Sequence, residues 1–322
     1  MLPARDRLVI CFAHGAYRIA ERFVLRGTGI AHFELRTFDD LVRRLPEADV
    51  LVVSGLWKNH LVHAASKLRF IQSISAGTDQ YDQALLRGRG IRLASAAGVN
   101  AEAVAEHAMA LMLALARRLP EARDNQNARR WRGMIGDIGA REDQLTGKTL
   151  LIVGLGRIGM RLARLAKAFD MRVIATKRDP ATGAHGADAV HGNERLHELL
   201  RQADVVVLTC PLTPETEHLI DAAALAAMKP SAHLVNVARG RVVDEDALIE
   251  ALQQRRIAGA GLDVTREEPL PASSPLWVLP QVLITPHSAG ETQRYEDAVI
   301  DILLDNLERL WRGETALTNQ IV

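Results

Sequence analysis

The stretch Val153-Gly154-Leu155-Gly156-Arg157-Ile158-Gly159 decides the fold of this chain, because a glycine-rich turn joins two segments of different period. The apolar run Thr149–Val153 before it is typical of a buried strand. The segment Arg157–Phe169 after it repeats apolar residues at three- and four-residue spacing, which predicts an amphipathic helix. The stretch therefore predicts a strand, a tight turn and a helix in succession.

Each glycine of the turn has its own role in such a unit. Gly154 permits the tight turn, Gly156 the close approach of a pyrophosphate, and Gly159 the packing of the helix on the strand. The N–H groups at the start of the helix then face the anion. The turn predicts a dinucleotide site, and a merely structural strand–helix turn is the alternative.

Apolar, β-rich runs recur along the chain and alternate with segments of helical period. In the middle of the chain we expect strands at Thr149–Val153, Arg172–Ala175, Asp204–Thr209, His233–Val237, Gly261–Val264 and Val282–Thr285. The helices expected between them are Arg157–Phe169, Glu194–Gln202, Ala222–Met228 and Glu245–Gln254. This alternation predicts an α/β fold with a parallel sheet covered on both faces.

The first hundred residues repeat this pattern less regularly and predict a second, smaller α/β unit. The strands expected there are Leu8–Phe12, His32–Leu35, Val50–Ser54, Phe70–Ser73 and Ile91–Ala94. A helix is expected after Thr37, with Asp40 as its capping partner, through Leu45. We also expect a long, largely buried helix over Asn100–Arg118 that crosses between the units. A helix over Glu291–Trp311 is expected to return to the first unit.

Composition excludes several classes of protein. The 322 residues include 40 basic and 39 acidic side chains, a net charge of +1 that argues against a nucleic-acid or membrane surface. The arginine-rich run 117–132 is interspersed with acids, so we interpret it as a solvated helix face rather than a polyanion site. Cys11 and Cys210 lie in apolar runs and favour a reducing compartment over a disulfide or a metal site. We expect a soluble, cytoplasmic protein that binds no metal.

The ribose position lies about 20 residues after the turn, where the second strand ends. An acidic residue there would bind the ribose 2′-hydroxyl, but this chain has Thr176-Lys177-Arg178-Asp179. Lys177 and Arg178 would attract a 2′-phosphate, and Thr176 could donate its hydroxyl. The sequence thus favours NADP over NAD. The alternative is a solvated basic loop in which Asp179 folds back onto the ribose.

Three polar residues follow later strands of the same sheet, where ligands bind in open α/β sheets. The imidazole of His287 can donate or accept a proton near neutral pH, so it suits both directions of the reaction. Glu268 at its other ring nitrogen would fix the tautomer and favour the imidazolium. Arg239 could clamp a carboxylate and polarise the adjacent carbonyl. Together they predict hydride transfer to or from a 2-oxo or 2-hydroxy carboxylate.

Each of these residues also has an ordinary explanation when it is considered singly. His287 could be a loop residue, Glu268 a solvated acid, and Arg239 could pair with Asp244. The placement of all three at strand ends of a cofactor domain favours the catalytic interpretation. Trp57 could line a substrate pocket or be a core or surface aromatic.

These segments resemble the D-isomer-specific 2-hydroxyacid dehydrogenase family, from about Val50 to the C-terminus. The resemblance is carried by the glycine turn, Asn236–Gly240 and Pro286-His287 in this order. It implies a two-domain protein in which a Rossmann cofactor domain, residues 100–290, is inserted into a flavodoxin-like substrate domain, residues 1–99 plus 291–322. It also implies a homodimer, paired through the cofactor domain.

The resemblance implies roles for individual residues. Arg239 would bind the substrate carboxylate and carbonyl, His287 would be the acid/base with Glu268 as its partner, and Asp263 would hold the nicotinamide carboxamide. Backbone N–H groups around Ala76 and Gly77 would bind the substrate carboxylate, and the cleft between the domains would close over it. The full set of expected cofactor contacts is Gly154, Gly156, Arg157, Ile158, Gly159, Thr176, Lys177, Arg178, Cys210, Pro211, Thr216, Ala238 and Asp263.

Two departures and one further match qualify the resemblance. Lys177 replaces the ribose-binding Asp common in the family, and Glu268 speaks against formate dehydrogenases, which carry Gln there. His107 resembles a helix residue at the domain junction, for which we expect a structural role. We predict a reductase of a small 2-oxo acid such as glyoxylate or hydroxypyruvate. The alternatives are a family member with another donor, such as phosphite, and a nucleotide-sensing, corepressor-like protein.

Overall fold

The computed structural model describes residues 2–322, which divide into two compact units. Residues 2–100 and 292–322 form the first unit, and residues 101–291 form the second. These boundaries lie one residue from those expected from the resemblance.

Twelve strands are present in residues 2–322: β1 Val9–Ala13, β2 Ala31–Leu35, β3 Val50–Val53, β4 Phe70–Ser73, β5 Arg92–Ala94, β6 Thr149–Val153, β7 Arg172–Thr176, β8 Ala189–His191, β9 Val205–Leu208, β10 His233–Asn236, β11 Gly259–Leu262 and β12 Val282–Ile284. The α-helices are α1 Ile19–Val24, α2 Phe38–Arg44, α3 Gln83–Gly88, α4 Ala101–Ala116, α5 Leu119–Asn127, α6 Arg157–Ala168, α7 Leu196–Leu200, α8 Ala222–Ala227, α9 Glu245–Gln253 and α10 Tyr295–Trp311.

The first unit contains a five-stranded parallel sheet in the order β2-β1-β3-β4-β5, which is the flavodoxin-like order. The expected cap of α2 is present, because Thr37 Oγ1 accepts a hydrogen bond from the Asp40 N–H at 3.2 Å. The C-terminal helix α10 belongs to the first unit, as expected. Its side chains Val299, Leu303 and Leu307 are fully buried in the core of this unit.

The second unit contains a seven-stranded parallel sheet in the order β12-β11-β10-β9-β6-β7-β8. The order of its first six strands along the chain is that of a Rossmann fold, with β12 added at one edge. In β6, Leu150 and Ile152 enter one apolar cluster while Leu151 and Val153 enter another. Burial on both faces explains why this strand is a continuous apolar run. The predicted α/β fold with two parallel-sheet domains is confirmed.

Two expectations about local structure need correction. The strand β11 ends at Leu262, two residues before the expected end, so that Asp263 follows the strand. A Cβ at Gly259 would lie 2.6 Å from the Gln281 carbonyl oxygen, so glycine is required there, whereas one at Gly261 would make a tight contact of 3.2 Å with Leu111 of α4. The arginine-rich run is not one helix face, because α4 and α5 are separate helices and residues 129–132 lie beyond both.

Three further observations concern membrane-spanning helices, cysteines and metal-binding clusters. No helix formed by residues 2–322 is long and apolar enough to span a bilayer. Cys11 and Cys210 are buried free thiols, and burial raises the pKa of Cys11 to about 12. In the same residues, no cluster of His, Cys, Asp or Glu side chains could hold a metal ion.

Candidate functional site

The glycine turn between β6 and α6 is held by backbone packing. Gly154 has a φ of +100°, and a Cβ at this position would lie 2.7 Å from the Cα atom of Cys210. A Cβ at Gly159 would lie 2.7 Å from the Gly154 carbonyl oxygen. The N–H groups of Gly154 and Leu155 donate to the Thr176 carbonyl oxygen at 3.1 and 2.9 Å. The turn is thus wedged between the ends of β7 and β9, and it has no room for side chains at two of its glycines.

The surroundings of Gly156 are different, and they fit a bound pyrophosphate. A Cβ at Gly156 would meet no heavy atom of residues 2–322 within 4 Å, so this glycine borders open space. Gly156 is also the N-cap of α6, and no side chain in the described part of the chain caps the start of this helix. A helix N-terminus with open space before it is the site that a phosphate group prefers. Arg157 and Ile158 begin the helix at this point.

The end of β7 carries the residues expected at the ribose. Lys177 donates its N–H to the His191 carbonyl oxygen at 2.9 Å, which fixes the backbone beside β8. Asp179 accepts a hydrogen bond from Ala181 N–H at 3.1 Å, so its carboxylate caps a local turn. The side chain of Thr176 is fully buried, and its hydroxyl has no hydrogen-bond partner among residues 2–322. Lys177 and Arg178 are the exposed or half-exposed cations at this strand end.

A loop after β9 faces this strand end. The pKa of Glu215 in the loop is lowered, first by a hydrogen bond from Thr213 and also by the charge of Arg178. Thr216 donates to the Pro211 carbonyl oxygen at 2.6 Å and accepts from Thr213 N–H at 2.8 Å. These bonds give Thr216 a role in fixing the conformation of the loop that begins at Cys210.

His287 and Glu268 form a close pair, as the sequence predicted. Glu268 Oε2 lies 2.7 Å from His287 Nδ1, and Glu268 Oε1 accepts from Thr265 N–H at 3.2 Å. Because Nδ1 faces the carboxylate, it carries a proton, and Nε2 is the ring atom left for a substrate. The pair is therefore arranged so that a single imidazole nitrogen can exchange a proton with a ligand.

The charges around this pair favour its ionised form. The hydrogen bond to Glu268 raises the pKa of His287, with the Glu268 charge adding to it, while burial and the Arg239 charge oppose the rise. Burial alone would raise the pKa of Glu268, but the hydrogen bond and charge of His287, with the N–H of Thr265 and the charge of Arg239, lower it. Arg239 thus lies close enough to His287 and Glu268 for its charge to act on the pKa of each.

The backbone that carries Arg239 is fixed by Asn236, a role that the sequence pattern did not indicate. The Asn236 side chain accepts from Ala238 N–H at 3.0 Å and donates to the Arg239 carbonyl oxygen at 3.0 Å. A Cβ at Gly240 would lie 1.9 Å from the Thr265 carbonyl oxygen, so only glycine fits between these segments. A buried Asn at the end of an apolar strand was the available signal, because such a side chain needs hydrogen-bond partners.

Asp263 organises the loop that carries His287. Its buried carboxylate accepts from the N–H groups of Ser288 at 2.9 Å and Ala289 at 3.1 Å, and its carbonyl oxygen accepts from His287 N–H at 2.8 Å. His287 has a φ of +54°, a left-handed conformation that is costly for a residue with a Cβ. The three hydrogen bonds that Asp263 accepts from this loop hold that conformation. The expected contact of Asp263 with a nicotinamide carboxamide stays a prediction.

The remaining predicted positions lie in the first unit. Ala76 and Gly77 follow β4, in the loop expected to bind a carboxylate. Trp57 is buried in the core, where its ring stacks on Tyr81 at a centroid distance of 5.9 Å and its indole N–H donates to Asn59. Of the two interpretations of Trp57, the structure supports the core aromatic.

Comparison with known proteins gives a family match over more than half of the chain. The family model of the D-isomer specific 2-hydroxyacid dehydrogenase NAD binding domain matches residues 109–289. A glyoxylate/hydroxypyruvate reductase B of Yersinia pestis is 40% identical over 287 residues, which cover 86% of this chain and 87% of that protein. A glyoxylate reductase of Korarchaeum cryptofilum is 36% identical over 306 residues, covering 90% and 91%.

A third relative is longer than this chain. A D-3-phosphoglycerate dehydrogenase of Methanocaldococcus jannaschii is 37% identical over 289 residues, which cover 87% of this chain but 53% of that protein. The chain thus spans about half the length of this relative.

Two solved structures that are similar to this chain contain different nicotinamide cofactors, NADPH in one and NAD in the other. An acyclic imino acid reductase in complex with NADPH and D-Arg has a TM-score of 0.84 and 25% identity, covering 98% of this chain and 100% of that one. An NAD-dependent formate dehydrogenase from Staphylococcus aureus in complex with NAD has a TM-score of 0.83 and 27% identity, covering 98% and 99%.

Proposed function

This chain belongs to the D-isomer specific 2-hydroxyacid dehydrogenase family and is a nicotinamide-dependent oxidoreductase, and we propose that it reduces a small 2-oxo acid of the glyoxylate or hydroxypyruvate type. The observation that carries the proposal is the His287–Glu268 pair, 2.7 Å apart and within the field of Arg239. The names of the relatives from Yersinia pestis and Korarchaeum cryptofilum favour the substrate type.

The proposed chemistry assigns one task to each residue of the site. The bound cofactor supplies a hydride to the carbonyl carbon of the 2-oxo acid. Arg239 binds the substrate carboxylate and polarises the carbonyl, because a guanidinium matches a carboxylate with two parallel donors. The His287 imidazolium donates its Nε2 proton to the carbonyl oxygen, and Glu268 stabilises the charged ring before the transfer. In the oxidative direction, neutral His287 accepts the hydroxyl proton. Ala76 and Gly77 are proposed to bind the carboxylate through their N–H groups.

We test this proposal with a panel of 2-oxo acids, including glyoxylate, hydroxypyruvate and 3-phosphohydroxypyruvate, each with NADH and NADPH. Oxidation is followed by the loss of the absorbance band of the reduced nicotinamide. We expect turnover of the two small acids and little turnover of the phosphorylated one. Tight nucleotide binding without turnover of any acid would contradict the proposal and favour the nucleotide-sensing alternative.

The preference for NADPH is proposed from the charges at the end of β7. Lys177 and Arg178 follow Thr176 where an acidic residue would repel a 2′-phosphate, and Asp179 is engaged in its own turn. The double variant Lys177→Asp, Arg178→Ala should shift the ratio of kcat/KM values toward NADH. The single variant Arg172→Ala, which removes a cation from the opposite end of β7, is the matched control and should leave the ratio unaltered. An NADPH preference that survives the double change would contradict the assignment.

We also propose that the second unit pairs with a second copy of the chain. Residues 129–142 follow α5, and Trp131 and Met134 are almost fully exposed there, at 99% and 101%. Large apolar side chains exposed close together are typical of a protein interface. The double variant Trp131→Ser, Met134→Ser should convert the protein to a monomer in sedimentation, while a monomeric wild-type chain would contradict the proposal.

A further inference from the structure

A hydrogen-bonded chain within the second unit connects α4 to the loop of His287. His107 Nε2 lies 2.9 Å from Thr285 Oγ1, and Thr285 Oγ1 donates to Asp263 Oδ1 at 2.6 Å. His107 is about one-quarter exposed, and Asp263 is buried. The distance from His107 Nε2 to Asp263 Oδ1 is 3.6 Å, so the hydroxyl of Thr285 is the closer link between them.

The direction of these bonds follows from the number of protons available. A threonine hydroxyl has one proton and two lone pairs. Because a carboxylate only accepts, the Thr285 proton points to Asp263, and the bond from His107 must be donated by Nε2–H. His107 is thereby the origin of a directed chain that runs from His107 to Thr285 and on to Asp263.

This series of hydrogen bonds ends at the backbone of the loop that carries His287, the proposed proton donor. Asp263 accepts from the N–H groups of Ser288 and Ala289 through its carboxylate and from His287 N–H through its carbonyl oxygen. His287 is left-handed, with a φ of +54°, and such a conformation persists only where its surroundings determine it. Asp263 therefore holds the backbone from which the His287 ring projects, while Glu268 holds the ring at Nδ1.

We propose that His107 is a positioning residue for His287, acting through Thr285 and Asp263. Without its donor, the Thr285 hydroxyl loses the partner that fixes its rotamer, so its hydrogen bond to Asp263 Oδ1 is no longer held in one direction. The effect on turnover rests on the proposed function of His287 as proton donor, whereas the effect on the loop does not.

Two pairs of variants separate the hydrogen bond from the volume of the side chain. In His107→Gln, the amide Nε2 stands the same number of bonds from Cβ as the histidine Nε2 and keeps a donor. In His107→Leu, the donor is lost while an apolar side chain fills the space. Thr285→Ser keeps the hydroxyl and Thr285→Val removes it. His197→Leu, at an exposed position on α7, is the control.

The first readout is turnover at saturating substrate and cofactor. We expect His107→Leu and Thr285→Val each to lower kcat by about 10-fold or more, because a small misplacement of a catalytic group costs rate even when the change lies away from the reacting atoms. The kcat values of His107→Gln and Thr285→Ser should stay within about threefold of the wild type, and the KM for the 2-oxo acid should do so in all four variants. The double variant His107→Leu, Thr285→Val should be little worse than either single one, because both interrupt the same chain. Equal kcat values for the Leu and Gln variants would overturn the proposal.

The second readout needs neither substrate nor cofactor. The Cε1–H resonance of His287 in the apoprotein is assigned with a His287→Gln variant and compared among the variants by NMR. We expect His107→Leu and Thr285→Val to shift or broaden this resonance, and His107→Gln and His197→Leu to leave it in place. An unperturbed resonance in both donor-free variants would also overturn the proposal, even if His107→Leu lowers thermal stability.

The two readouts distinguish failure of this inference from failure of the proposed function. If the wild type reduces no 2-oxo acid but the His287 resonance responds as expected, the proposed function fails and the positioning role stands. If the wild type is active and neither kcat nor the resonance responds, the proposed function stands and the positioning role fails.

Discussion

The glycine turn at Gly154–Gly159 and the loop Thr285–Ala289 both follow strands of the seven-stranded sheet, but different interactions hold them. The turn is determined by the absence of side chains: a Cβ at Gly154 or Gly159 would lie within 2.7 Å of backbone atoms. The loop is determined by the presence of side chains, since the buried Asp263 carboxylate binds its N–H groups and Thr285 binds that carboxylate.

This difference separates two tasks within one site. A turn built from backbone presents N–H groups and open space, which suits binding an anion that is common to many substrates. A loop held by a hydrogen-bonded network can set the angle of one imidazole, which suits a step that depends on geometry. We therefore expect changes in the turn to affect nucleotide binding and changes in the loop to affect turnover.

The largest effect should come from His287→Ala. Loss of the proton donor should lower kcat by about 10²–10⁴-fold, the usual contribution of a general acid or base. Nucleotide binding, measured by quenching of tryptophan fluorescence, should remain near the wild-type value because the glycine turn is intact. Unaltered turnover would show that another group donates the proton, and lost nucleotide binding would show that the turn and the loop are not separable.

Two changes in the turn should have intermediate effects that differ from each other. Gly154→Ala combines a φ of +100° with overlap on Cys210, so it should destabilise the fold by on the order of 1–3 kcal/mol in denaturant unfolding. Gly156→Ala meets no protein atom within 4 Å and should leave that stability unaltered. Its methyl group would instead displace the pyrophosphate from the helix N-terminus, where the loss of one charge-assisted hydrogen bond weakens binding roughly tenfold or more.

Two results would contradict the different roles expected for Gly154 and Gly156. If Gly156→Ala binds NADPH as tightly as the wild type does, the pyrophosphate does not approach this turn. Equal losses of stability for the two variants would mean that the free space beside Gly156 is not available in solution.

The smallest effect should come from Glu268→Gln and should appear as a pH shift. The Glu268 carboxylate raises the pKa of His287, so the imidazolium that reduction requires persists above the ordinary pKa of histidine. With Gln, the pKa of His287 falls. The basic limb of kcat/KM for reduction should then move to lower pH, while the acidic limb of oxidation moves in the same direction. A pH profile that does not move would assign the basic limb to another group.

The sequence predicted the turn more completely than the loop. The turn is local: strand, glycines and helix stand within 20 residues, and the glycine spacing itself carries the stereochemical requirement. The alternation of strands and helices likewise predicted both parallel sheets, because strands buried on two faces are continuous apolar runs. The pairing of Glu268 with His287 followed from the chemistry that an acid/base histidine needs.

The support of the loop was not predicted, because it joins residues far apart in the chain. His107 is 178 positions from Thr285, and its isolated place on an apolar helix gave no sign of a partner. The role of Asn236 was not predicted for a related reason, since its two hydrogen bonds depend on the turn at Ala238–Arg239 that follows it. Short elements such as β8 and α1 were also missed, because three to six residues are too few to establish a period.

The central claim is hydride transfer to a 2-oxo acid, and isotope transfer tests it most directly. The protein is incubated with glyoxylate or hydroxypyruvate and with NADPH in which deuterium replaces both hydrogens on C4 of the nicotinamide. The product is then analysed by mass spectrometry and NMR. We predict one deuterium at C2 of the 2-hydroxy acid, with the D configuration for the chiral product of hydroxypyruvate. A product without deuterium at C2, or no product from either acid, would contradict the account.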